Sequence, residues 1–117
     1  MSKIILNLGW PPSVNHYWGR QGNRQFLSAF GKAYRQEVWA EFKNNYPGIK
    51  PMKNRLLVKI LASPPDNRKH DLDNILKSLL DSIQHAGVFE DDEQIDGLEI
   101  YRTKERENAV YVTIKAL

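Results

Sequence analysis

The chain contains no cysteine. That absence excludes disulfides, thiolate nucleophiles, cysteine-based zinc sites and iron–sulfur clusters, and it fits an intracellular setting. Long hydrophobic runs are missing too. The longest, such as Leu56-Leu57-Val58, span three or four residues, against the roughly 20 that a membrane helix needs. The opening apolar stretch, Ile4-Ile5-Leu6, is stopped by Asn7 and by Trp10-Pro11-Pro12, too soon for a signal peptide. Repeats, Ser-rich linkers and low-complexity tracts are also lacking. The expectation is a cytoplasmic protein with no membrane partner.

What is present is ordinary globular material. The 117 residues are 41% hydrophobic and 26% charged, which predicts one domain over residues 1–117 with a core that holds without staples. Net charge is only +3, but it is unevenly spread. Met1 to His70 carries twelve Lys and Arg against three acids, and Asp71 to Leu117 carries five against eleven. A basic surface that also bears dense acid suits a protein that attracts phosphates and positions metal ions among them. Chance segregation of solvated charges is the plainer reading.

Periodicity gives the elements. Lys3 to Leu8 reads as a strand ended by Gly9-Trp10-Pro11-Pro12, and Asn15 to Asn23 as a long polar, aromatic loop. Gln25-Phe26-Leu27 reads as a short strand, and Ser28 as the N-cap of a helix reaching about Asn45. Phe30, Tyr34, Val38 and Phe42 recur every four residues and mark its buried stripe. Trp10 and Trp39 read as core residues. Arg55 to Ala62 reads as a buried strand ended by Ser63-Pro64-Pro65-Asp66. Ile75, Leu76, Leu79, Leu80 and Ile83 form the apolar face of a second helix that Gly87 terminates. Leu98 to Thr103 and Ala109 to Leu117 read as a closing hairpin around Lys104 to Asn108. The predicted fold is an α+β domain of order β-β-α-β-α-β-β, with a mixed or antiparallel sheet and two main helices.

The chemistry concentrates at Arg68-Lys69-His70-Asp71-Leu72-Asp73-Asn74. If this segment is extended, Asp71 and Asp73 share a face, and their two hard oxygen donors suit Mg²⁺ or Mn²⁺. The plainer reading makes one of them the helix N-cap, which is compatible with metal binding by the other. Glu90-Asp91-Asp92-Glu93 is normally a solvated turn, but Val88-Phe89 and Ile95 flank it, so it could deliver a third carboxylate. Lys77 lies one helical turn after Asp73, either as a surface ion pair or beside a bound phosphate. Arg68 and Lys69 are the leading candidates for phosphate contacts. Asn15, His16, Tyr17, Trp18, Arg20, Asn23 and Arg24 offer cations for phosphates and flat rings for bases, and Lys32 and Arg35 extend the basic track.

Four of these motifs, in this order, resemble the RusA family of Holliday-junction resolvases of bacteria and prophages. They are Trp10-Pro11-Pro12-Ser13-Val14-Asn15, Gly31-Lys32-Ala33-Tyr34-Arg35, Asp71-Leu72-Asp73-Asn74 with Lys77, and Asp91-Asp92. The resemblance runs almost end to end, with His70 departing from the basic residue expected just before the aspartates. It implies a homodimer that binds four-way junction DNA and, with Mg²⁺ (Mn²⁺ as substitute), makes paired symmetric nicks, without a small-molecule cofactor. It assigns Asp71, Asp73 and Asp92 as catalytic metal ligands and Lys77 as the catalytic lysine. Asp92 takes that role over Asp91 by holding the second position of the pair. DNA contacts are then expected from Arg68, Lys69, His70, Asn74, Asn15, Tyr17, Arg20, Arg24, Lys32 and Arg35. A non-catalytic junction-binding module and a general structure-selective nuclease are the alternatives.

Overall fold

A computed structural model of the chain describes residues 2–117. Its centre is a four-stranded sheet in the order β1-β6-β4-β5, with helices packed on one face. Strands β1 (Lys3–Gly9), β4 (Leu56–Ser63) and β6 (Ala109–Ala116) alternate strictly enough to fix that face. Ile4, Leu6 and Leu8, Leu56, Val58 and Ile60, and Val110, Val112 and Ile114 all point inward and are buried. At roughly 1.5–3 kcal/mol for each fully buried aliphatic side chain, this one layer supplies much of the hydrophobic stabilisation.

Two helices cover it. In α2 (Ala29–Asn45) the Ser28 hydroxyl caps the first turn by accepting from the Gly31 N–H at 3.0 Å. Tyr34, Val38 and Phe42 are buried as the spacing predicts, but Phe30 is 71% exposed. Residues four apart advance about 40° round a 3.6-residue helix, so a strict four-residue stripe rotates away from the core at its end. Trp39, one position beyond the stripe, is exposed rather than core. Helix α3 (Asp73–Ala86) buries Ile75, Leu79 and Ile83 and stops at Gly87, whose φ of 92° lies in the left-handed region that a residue with a Cβ avoids.

Two expectations are corrected. Residues 15–23 are not a loop: Val14–Tyr17 forms the single-turn helix α1, and β2 (Trp18–Gln21) pairs with β3 (Arg24–Leu27) as a separate hairpin around Gly22-Asn23. A Cβ on Gly19 would meet the Phe26 ring at 2.4 Å, so any larger residue there would have to push that ring aside. Nor do β5 (Ile95–Arg102) and β6 form a hairpin. They flank β4, parallel to β5 and antiparallel to β6. The segment joining them crosses the end of β4, with Thr103, Glu107 and Asn108 donating their N–H groups to Ala62, Ser63 and Pro64. Strands β4 and β5 are parallel neighbours, so α3 must return the chain from the C-terminal end of one to the N-terminal end of the other. No helix among the described residues is long and apolar enough to cross a membrane.

Candidate active site

The C-terminal end of β4 opens into a cleft of about 540 Å³. Its walls are Trp10, Pro11, Pro12, Ser13 and His16 on one side and Arg68, Lys69, His70, Asp71, Asn74 and Ile75 on the other. Two sequence motifs far apart in the chain therefore face each other. Prolines 11 and 12 cannot continue the β1 ladder, which turns the chain over the start of α3. There the Ser78 hydroxyl donates to the Pro12 carbonyl at 2.5 Å. Trp10 meets the His70 ring edge-on at 5.5 Å.

Asp66 organises the basic wall. Its carboxylate accepts from the Arg68 backbone N–H at 2.9 Å and from the Arg68 guanidinium at 2.9 and 3.1 Å. It also pairs with His70 Nε2 at 2.7 Å. The Arg68 contacts and then the His70 contact hold the Asp66 carboxyl far below the ordinary carboxylate range. Asp66 carried no motif in the sequence; its signal was only the Asp two residues before a basic triplet. Arg68 nevertheless keeps its side chain largely exposed, within reach of a phosphate.

Asp71 and Asp73 stand at the amino end of α3, both exposed. The backbone at Leu72 is already helical, with φ −63° and ψ −35°, so the alternation of an extended segment does not apply. Neither aspartate caps the helix through its side chain. Both carboxylates are thus left at the positive end of the α3 dipole without a capping role. Lys77, also exposed, follows one turn after Asp73, and Asp81 one turn after that.

Asp81 is engaged elsewhere. Arg35 bonds it at 2.6 Å, the Tyr17 hydroxyl donates to it, and Arg35 Nε donates to the Tyr17 oxygen at 2.7 Å. Burial would raise the Asp81 pKa, but the bonds from Tyr17 and Arg35 outweigh it and the net shift is downward. This network ties α1, α2 and α3 together, and it corrects two expectations. Tyr17 is fully buried and has no ring face to offer a base. Arg35 is mostly buried and spends its guanidinium inside the protein. Sequence reasoning missed Asp81, whose only mark was its spacing of four from Lys77.

The second acidic segment sits at the other end of α3. Asp91 caps the 3-10 turn Asp92–Gln94, accepting from the Glu93 N–H at 3.0 Å. Gln94, buried, accepts from the N–H groups of Glu90 and Asp91 and donates to the carbonyls of Met52 and Asn54. Glu93 pairs with Arg55. The Asp92 N–H is held by Gln84 near the carboxyl end of α3 at 3.0 Å. Gln84 lies eleven residues after Asp73, about 16 Å along the helix. Among the described residues, no three Asp, Glu or His side chains are grouped closely enough to hold one metal ion. The expected set of Asp71, Asp73 and Asp92 does not assemble within one chain.

The remaining basic and polar candidates spread along the surface. Asn15 and Arg20 line a groove of about 370 Å³ with Val14, Trp18 and Gln25. Arg24 is exposed beside the hairpin turn. Lys32 lies on α2 in a groove with Trp39 and His85. Lys69 is exposed and Asn74 is the second residue of α3; both border the cleft.

Comparisons with known proteins show the family. A crossover junction endodeoxyribonuclease of Enterobacteria phage HK97 is 46% identical over 102 residues, covering 87% of this chain and 84% of that protein. Crossover junction endodeoxyribonucleases of Escherichia coli K12 and of Enterobacteria phage 82 are 37% and 36% identical, each covering 81% of this chain and 78% of the relative. A sequence model of the endodeoxyribonuclease RusA family matches residues 9–115, a span that holds the proline-lined wall, the basic loop, both acidic segments and α3, and the chain therefore belongs to the RusA family of endodeoxyribonucleases.

Proposed function

We propose that this chain resolves four-way DNA junctions by paired symmetric nicks, acting as a homodimer with Mg²⁺, or Mn²⁺ in its place. Its RusA membership makes it a crossover junction endodeoxyribonuclease, an activity on DNA that suits a cytoplasmic setting. The observation that carries the reading is the cleft in which exposed Asp71 stands beside Arg68, Lys69, His70 and Asn74, opposite Trp10 to Ser13.

Asp71 and Asp73 are hard oxygen donors of the kind a hydrated Mg²⁺ takes, one or two carboxylates with waters and substrate phosphate filling its remaining positions. Such a cation, when bound, supplies an activated water and neutralises charge on the phosphodiester. Arg68 and Lys69 draw the DNA backbone to the cleft, which the aspartates alone would repel. Lys77 places an ammonium one turn behind Asp73, where it stabilises negative charge developing on the scissile phosphate. Asn15, Arg20 and Arg24 extend the contact to the DNA arms. A homodimer presents two such sites related by a two-fold axis, matching the symmetry of a junction.

The test is cleavage of a labelled synthetic four-way junction, beside linear duplex and flap, with Mg²⁺ and with EDTA. Paired nicks confined to the junction, lost in EDTA and in Asp71→Asn, are expected. Binding without cleavage would make the chain a junction-recognition module, and equal cutting of flaps would make it a general structure-selective nuclease.

A further inference from the structure

The four-residue stripe of α2 leaves one aromatic ring outside the core. Phe30, in the first turn, is largely exposed, which keeps most of an apolar ring in water. It does not stand alone. Its ring lies 6.3 Å from that of His16, tilted by 42°, and the two form the rim of a pocket of about 340 Å³. Trp10 and Pro12 wall this pocket, and the buried Tyr34 is its floor. Trp10, Pro12 and His16 also wall the cleft in which Asp71 stands. The pocket is therefore a side chamber of the candidate active site. It falls near the lower end of the roughly 300–1,000 Å³ that ligand pockets span, which suits one flat ring better than a chain.

The polar end of the chamber is set by the strand beside it. Helix α2 runs along the outer edge of β1 and closes it, with Tyr46, Glu41 and Glu37 accepting from the N–H groups of Ile5, Asn7 and Gly9 at 2.9, 3.2 and 2.6 Å. The bond from Gly9 uses Oε2 of Glu37, which fixes that carboxylate in the pocket lining and leaves Oε1 to accept from a ligand. Tyr34 spends its hydroxyl proton on the Gly9 carbonyl at 2.8 Å, so it offers the chamber only its ring. Ser28 donates its hydroxyl to the carbonyls of His16 and Tyr17. That fastens α1 to the start of α2 and keeps His16 beside Phe30. Among the described residues, no Lys or Arg lines the pocket, so a phosphate would meet a carboxylate without the cation it needs. What fits is a neutral flat ring that stacks on aromatic faces and donates a hydrogen bond from its edge.

Resting on the resolvase reading above, we infer that this chamber takes one unstacked nucleobase from the branch point of the junction, and that Glu37 selects a base with an exocyclic amino group. The exchange point is where such a base costs least to obtain. Stacking is interrupted there as the strands cross, and extracting a base is cheapest where it is already unpaired or unstacked. Phe30, His16 and Trp10 offset the remaining cost by stacking on it. Oε1 of Glu37 accepts from the amino group of cytosine or adenine. Thymine has no amino group and flanks its one N–H with two carbonyl oxygens, which the carboxylate repels. A linear duplex offers no unstacked base, so the chamber also helps to separate junctions from ordinary DNA.

The test is equilibrium binding to synthetic four-way junctions in EDTA. Phe30→Ala, at an exposed position, should weaken junction binding about five- to a hundredfold. Linear duplex binding, the slope of affinity against salt and the circular dichroism should stay as they were, because no phosphate contact is lost. Phe30→Trp should restore the affinity. Junctions with an abasic nucleotide at each position flanking the exchange point in turn should reveal one at which the unmodified protein loses a similar factor and Phe30→Ala loses nothing further. At that position thymine should bind more weakly than cytosine or adenine. Glu37→Gln, whose amide oxygen still accepts from Gly9 while its nitrogen now donates, should abolish or reverse that order. Undiminished junction binding by Phe30→Ala, a loss shared equally by linear duplex, an effect of Phe30→Ala that persists at every abasic position, or a base order that Glu37→Gln leaves intact would each overturn the proposal. Binding is read without turnover, so a junction held in this way but never cut with Mg²⁺ counts against the nuclease reading alone, and a junction cut normally without this coupling counts against the chamber alone.

Discussion

The two acidic segments look alike in sequence and are used in opposite ways. Around Glu90 to Glu93, every charge but that of Asp92 is absorbed locally: Asp91 caps a turn, Glu90 faces Lys53, Glu93 pairs with Arg55, and Gln94 satisfies the backbone beneath. At Asp71 and Asp73, the carboxylates neither cap the helix they introduce nor join the paired Asp66 and Asp81 beside them. Density of negative charge therefore does not locate a site. Carboxylates that the fold leaves without structural employment do, because a bare anion near a helix start and a basic wall is best satisfied by a cation brought with the substrate.

The comparison breaks most sharply by substitution. Asp71→Asn or Asp73→Asn should lower junction cleavage by about a hundredfold or more, while thermal unfolding stays where it was. Asp92→Asn should do the same, whereas its neighbour Asp91→Ala should keep cleavage and lose about 1 kcal/mol of stability, the usual cost of an N-cap. Equal losses of activity at 91 and 92 would erase the distinction drawn between them. Next in size is the embedded network. Asp81→Asn leaves Arg35 and the buried Tyr17 hydroxyl poorly matched and should cost about 2 kcal/mol in urea unfolding, with activity falling only as far as folding does.

The smallest effect is the response to acid. The folded Asp81 pKa lies below its ordinary value of 3.8, so the unfolded chain takes up the proton first as pH falls. The stabilisation is complete above about pH 4 and drains away as pH drops through the folded value. Thermal unfolding of the unmodified protein against that of Asp81→Asn should therefore differ at neutral pH and converge in acid. A gap that widened below pH 4 would contradict the network described here.

Much of the fold was legible. Lys3 to Leu8, Arg55 to Ala62 and the second helix announced themselves because burial on one face imposes a period on the apolar residues, and Gly87 and Ser28 marked helix ends for local reasons of backbone geometry. The partner of each strand was not legible. Ala109 to Leu117 reads equally well as half of a hairpin, and only competition for the inner face sets it between β1 and β4. Of the hairpin at residues 18–27 only the strand at Gln25 to Leu27 was read; its partner at Trp18 to Gln21 escaped because these strands bury little and so carry little alternation. At the site, the basic loop and the aspartates were visible as unusual composition, but Asp66 and Asp81 were not, since each matters through residues distant in the chain. Tyr17 and Arg35 misled for the same reason: a tyrosine and an arginine look the same in sequence whether they wait for DNA or hold three helices together.

The sequence by itself determined the elements, the family and the residue types available for chemistry, because local periodicity and motif spacing are properties of neighbours along the chain. Only the tertiary structure decided which acids are employed and which are free, which sheet edge is closed, and that Asp92 lies a helix length from Asp71 and Asp73. Those are distances between segments that the chain brings together only when burial of its apolar face folds it.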